Sequence, residues 1–99
     1  MTHHEEMEIL RKDALAKADA LTVKKGQDYG KWYDYDEVTL AALNLVKAKR
    51  LLHLAIKIAA NPQCLEANEP MEDSAVDAVN YASFLYGKVR ERKERMAAE

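Results

Sequence analysis

From Met7 the apolar positions Met7, Leu10, Ala14, Ala18 and Leu21 recur at steps of three and four, which places them on one stripe of a helix. The pattern predicts a first helix over 2–25. Lys24 and Lys25 complement the unpaired carbonyls of its last turn, and Gly26 stops it. A second run, 38–60, carries two apolar stripes. One is Val38, Ala41, Leu45, Ala48, Leu52, Ala55 and Ala59; the other is Leu40, Leu43, Leu51, Leu54 and Ile58. Asp36 stands where its carboxylate can accept from the free amides of the first turn, and Asn61-Pro62 ends the run. Apolar on more than one face, this helix is expected at the centre of the fold or in a subunit interface. Asn44, Lys47 and Arg50 step by three along it, and His53 and Lys57 extend the polar strip.

After a polar connector over 61–69, Pro70 suits the first turn of a third helix, 70–96, where a missing amide costs nothing. Its packing stripe reads Val76, Val79, Ser83, Tyr86 and Val89. Beyond Gly87 the chain is almost wholly charged, and 88–99 is expected as a solvated helical tail in which Glu91 pairs with Arg95. Between the first two helices, 26–36 holds two of the three glycines, the only tryptophan and three of the five tyrosines. The expected fold is therefore all-α: a single domain, 1–99, forming a three-helix antiparallel bundle with an aromatic loop between helices one and two, completed by self-association.

Composition narrows the function. Ninety-nine residues allow one core, and three glycines and two prolines are too few for an all-β chain. A formal charge of −2 argues against general nucleic-acid binding, so any phosphate binding must rest on local cations. The solitary Cys64 can form neither an internal disulfide nor a thiolate cage. With no signal-like or membrane-spanning apolar stretch, the expected location is cytoplasmic and no membrane contact is expected. No serine or cysteine nucleophile arrangement, Walker loop or Rossmann glycine pattern occurs.

Candidate chemistry gathers in three places. Asp73, Asp77 and Asn80 are spaced four and three apart on helix three and share a face with Phe84. Two carboxylates on a face that also carries an aromatic call for a positive partner, because an unpaired ionised group is costly to desolvate. That partner is either Lys47 and Arg50 or a divalent cation such as Mg²⁺, with Glu72, Asp73 and Asp77 as ligands. Alternatively, Glu72 and Asp73 merely complement the helix dipole and Asp77 makes one salt bridge. Lys25, Lys47 and Arg50 supply point charges and a planar fork for phosphate. Tyr29 and Trp32 supply ring faces for a base, or the aromatic loop simply caps the core.

Lys25-Gly26-Gln27-Asp28-Tyr29-Gly30, then Asn44, Lys47 and Arg50, then Glu72-Asp73-Ser74 with Asp77, Asn80 and Tyr81, form an ordered set over about 25–86. This set resembles the small phage and prophage proteins of the nucleotide modification associated domain, type one, and related MazG-like phage proteins. The resemblance implies an all-α fold and a link to nucleotides and, more loosely, to the Mg²⁺-dependent all-α nucleoside triphosphate pyrophosphohydrolases. The Glu-Glu-x-x-Glu helix of those enzymes has no counterpart here; Glu5-Glu6-Met7-Glu8 has the wrong spacing.

Three functions follow as expectations. The first is capture of a phosphorylated nucleotide or nucleotide-derived signal by Lys25, Tyr29, Trp32, Lys47, Arg50, Asp77 and Asn80, in a pocket shared between chains if the second helix self-associates. The second is a Mg²⁺-dependent pyrophosphohydrolase. The third is an inhibitor of a host protein that docks through Trp32, Tyr33 and Tyr35. Direct pairing of Lys47 or Arg50 with Asp77 would favour a structural role for these residues, and a water-filled gap would favour a ligand.

Overall fold

A computed structural model describes residues 1–24 and 31–99, so the expectations placed on Lys25 and Tyr29 lie outside the described residues. The described chain is all-α. Helix α1 (His3–Lys24) is followed by a short 3-10 helix (Trp32–Asp34), then by α2 (Glu37–Ala60) and α3 (Leu65–Ala98). No described helix is long and apolar enough to cross a membrane.

Local chemistry accounts for the helix ends. The Thr2 hydroxyl accepts from the Glu5 amide at 3.1 Å while the Glu5 carboxylate accepts from the Thr2 amide and hydroxyl, a reciprocal cap that starts α1. Asp36 starts α2 as its sequence position implied: its Oδ1 accepts from the Thr39 amide at 2.6 Å. This bond holds the Asp36 carboxyl below its ordinary pKa.

Helix α3 begins five residues earlier than Pro70 suggested. Asn61 and Pro62 form a tight turn closed by the Cys64 amide on the Asn61 carbonyl at 3.0 Å, and Asn61 Oδ1 also accepts from the Gln63 amide. The helix then starts at Leu65, with the Asn68 side chain donating to the Cys64 carbonyl at 2.8 Å. Pro70 therefore lies inside the helix. Its missing amide leaves the carbonyl of Glu66 without an intrahelical donor, which water can replace because Glu66 is exposed.

Helices α2 and α3 run antiparallel. Lys47, Arg50 and Glu37 of α2 meet Asp77, Ser74 and Arg92 of α3, so numbers rise on one helix as they fall on the other. The expected centre of the fold shifts as a result: α3 packs on both α1 and α2, and α2 covers only one of its two apolar stripes. Leu40 and Leu54 are buried, with Leu43, Leu51 and Ile58 half-buried, whereas Val38, Leu45 and Leu52 of the other stripe are exposed. The buried side of α3 also differs from its expected stripe. Ala67, Ser74, Asn80 and Phe84 are buried, while Ser83 and Tyr86 face outward. On α1 only Ala18 is buried, Ala14 and Leu21 are half-buried, and Met7 and Leu10 are exposed.

The aromatic segment closes one end of the α2–α3 pair. Trp32 stacks on Phe84 with ring centroids 4.9 Å apart and 9° between planes, and Tyr33 and Tyr81 meet this pair edge-on. Gly87 makes room for the indole, since a β-carbon there would lie 2.9 Å from the ring edge. The first turn of the charged tail is tied down rather than solvated. Lys88 donates to the Tyr33 carbonyl at 2.9 Å, and Arg92 holds Glu37 through Nε at 2.9 and 3.2 Å. Arg95 pairs with Glu91 at 3.3 Å, as its spacing implied.

Candidate functional site

The α2–α3 interface carries two polar rungs one turn apart. Lys47 Nζ donates to Asp77 Oδ2 at 3.0 Å, and Arg50 Nε donates to the Ser74 hydroxyl at 3.1 Å. Both rungs follow from matched spacing, because Lys47 and Arg50 step by three on one helix and Ser74 and Asp77 step by three on its antiparallel partner. Ser74 is the member that sequence reasoning missed as a site residue. Its signal was the same i, i+3 relation to Asp77, legible once the helices are known to be antiparallel. The Lys47 and Asp77 side chains keep 24% and 21% of their exposure, so the pair is partly desolvated and still reachable from solvent.

Beside this pair lies an open cleft of about 480 Å³ between α1 and α3, lined by Lys17, Leu21, Asp73, Val76 and Asp77. Lys17 bridges the helices, with Asp13 at 3.1 Å on its own helix and Glu72 at 3.4 Å on α3. Hydrogen bonds that the Lys17 ammonium donates to Asp13, then to Glu72, raise its pKa, so it stays a fixed cation at the cleft wall. The role of Lys17 was not legible in the sequence, because its i, i+4 relation to Asp13 carries no hint of α3.

Asn80 stands one turn beyond Asp77 on the strip that begins at Asp73. It is 3% exposed, and its side-chain nitrogen has no hydrogen-bond partner among the described residues. An orphaned buried amide costs about 1–3 kcal/mol, a cost that native structures usually avoid.

Other expected site residues are not brought together. Among the described residues no three His, Cys, Asp or Glu side chains converge as a metal requires. Glu72 is engaged by Lys17 and Asp77 by Lys47, and Asp73 is exposed on the cleft wall. Trp32 lies against Phe84 and Gly87, where it caps the core, so one face of the indole is already covered. Tyr33 and Tyr35 remain about half exposed. Lys47 and Arg50 lie on the side of α2 that meets α3, away from the exposed Val38–Leu45–Leu52 stripe. Comparison with protein-family models, curated proteins and solved structures finds no match for this chain.

Proposed function

We propose that this protein binds a phosphorylated nucleotide or a nucleotide-derived signal at the cleft beside Lys47 and Asp77. The observation that carries this reading is the buried amide of Asn80, one turn beyond Asp77 of the cleft wall and without a hydrogen-bond partner among the described residues, a donor whose missing acceptor a ligand oxygen would supply once the side chain turns toward the cleft. Lys17 and Lys47 supply cations at or beside the cleft, and Arg50 stands one turn away with its fork partly engaged by Ser74. The cleft volume falls in the range of small-molecule sites. The resemblance of the Lys25–Tyr81 residues to nucleotide-linked phage proteins points the same way. Trp32 contributes through its capping position rather than through a free ring face.

Binding without hydrolysis is the form we favour, since the three acidic groups that a pyrophosphohydrolase would need do not converge among the described residues. Calorimetric titration with a panel of nucleoside mono-, di- and triphosphates and cyclic dinucleotides, with and without Mg²⁺, tests the proposal. Heat with at least one member, lost in Arg50→Ala and Asn80→Leu, is expected; absence of heat throughout refutes it.

A second reading is favoured by the directness of the Lys47–Asp77 contact. At 3.0 Å with no gap for water, the pair acts as a clamp that fixes the register of α2 on α3. On that reading Asp77→Asn lowers stability and changes no ligand affinity.

A further inference from the structure

Helix α2 displays an apolar stripe that, Ala55 apart, no described residue of the chain buries. Val38, Ala41, Leu45, Ala48, Leu52, Ala55 and Ala59 alternate steps of three and four, the spacing of a coiled-coil seam, and none of the seven is charged. Val38, Leu45 and Leu52 are 79%, 55% and 64% exposed, and Ile56 on the margin is 61% exposed. Exposed aliphatic residues scattered singly are ordinary; a row about 32 Å long is not.

The chain exposes more surface than a compact domain of its mass, a surplus shared by α1, where Met7, Ile9 and Leu10 are exposed, by α2 and by the charged end of α3. A folded chain of 11.2 kDa is expected to expose about 5,700 Å². This chain exposes 7636 Å², a surplus of roughly 1,900 Å². Its radius of gyration, 16.2 Å, also exceeds the ~12.6 Å of a compact domain of this length. A stable interface takes about 800 Å² from each partner, well within that surplus.

We infer that the stripe is the seam of a homodimer in which α2 packs antiparallel on α2 of a second copy about a two-fold axis near Ala48. A second copy is the occupant because the row is self-complementary. With the axis there, Leu45 of one copy meets Leu52 of the other, Val38 meets Ala59, and the two Ala48 residues face each other. Small residues at Ala41, Ala48 and Ala55 let the backbones approach and receive the larger side chains between them. Lys49, on the margin, extends to solvent at the edge of the seam. The inference is independent of the nucleotide reading, because Lys47 and Arg50 lie on the side of α2 that meets α3.

Sedimentation of the full chain over a wide concentration range tests it. A species of twice 11.2 kDa is expected. Leu45→Glu combined with Leu52→Glu should weaken association by at least ~30-fold, the loss of one hot spot, with helical circular dichroism retained because both side chains are exposed within the chain. A monomer at every concentration, an assembly larger than two chains, or a dimer indifferent to both substitutions overturns the inference.

Should the glutamate variants unfold, cysteine cross-linking in a Cys64→Ser background decides. Ala48→Cys should oxidise readily to a covalent dimer, while Val38→Cys, about 30 Å from its mate in this register, should not. Cross-linking at Val38→Cys but not at Ala48→Cys, at both or at neither, overturns the antiparallel seam.

Discussion

Removing one side of the Lys47–Asp77 pair separates a clamp from an ornamental surface contact. Fully exposed ion pairs contribute about 0.2–1 kcal/mol, whereas breaking a buried pair costs about 3–5 kcal/mol. With about a fifth of each side chain exposed and a 3.0 Å contact, this pair lies between those limits. Asp77→Asn keeps the shape and hydrogen-bonding capacity while leaving Lys47 partly desolvated without its counter-charge. Its expected cost is about 1–2 kcal/mol, as for a charged hydrogen bond. Lys47→Met keeps the aliphatic stem and should cost a similar amount. The double variant removes both charges and should cost less than the sum, giving a coupling of about 1 kcal/mol. For a domain of this size, each kcal/mol moves the thermal midpoint by ~4–8 °C, so all four proteins are resolvable by thermal and urea unfolding. Protein concentration must be held constant, because the proposed self-association would stabilise the folded form by mass action. Strict additivity of the two single substitutions would refute the claim that the pair organises the interface.

Three further outcomes follow from the packing. Leu40→Ala, at the one large side chain with no exposure among the described residues, should cost about 2–5 kcal/mol by urea unfolding; a change below ~1 kcal/mol would mean that the α2–α3 core lies elsewhere. Gly87→Ala gains about 1 kcal/mol of helix propensity but places a methyl 2.9 Å from the indole, so the fluorescence of Trp32, the only tryptophan, should shift to the red as the ring leaves Phe84; an unchanged spectrum contradicts the stack. Asp36 has a folded pKa below its unfolded value, so its capping contribution is full above the ordinary carboxylate range and is lost as pH falls through the folded value. Asp36→Asn should flatten that part of the stability–pH curve, and an unaltered curve would assign the acid sensitivity to other groups.

Helix number, the Asp36 cap and the ends of α2 were legible because each rests on chemistry within a few residues. Which stripe of α2 faces inward was not. Both satisfy helical periodicity, and the choice is made by Ser74 and Asp77 on a helix 24 to 30 residues away. Pro70 misled for the opposite reason: a real local preference was overridden by the Asn61–Cys64 turn, which launches the helix earlier. The mid-helix glycine at 87 was a usable signal, since glycine there weakens a helix unless another group needs the space, and Trp32 does. Of the candidate site, a cation of α2 was one of the partners the sequence offered for the α3 acids, and Lys47 meets Asp77 in that way, whereas Arg50 meets Ser74. The direct Lys47–Asp77 contact, the role of Ser74 and the approach of Lys17 from α1 depend on helix directions and on which faces meet.

Side-chain amide resonances report directly on Asn80. In a ¹⁵N-labelled sample titrated with the nucleotide panel, the Asn80 amide pair, assigned by its loss in Asn80→Asp, should move and gain protection from solvent exchange as a phosphorylated ligand is added. An Asn80 pair that stays fixed at saturating concentrations of every ligand would contradict the binding site and leave Lys47 and Asp77 as a structural clamp.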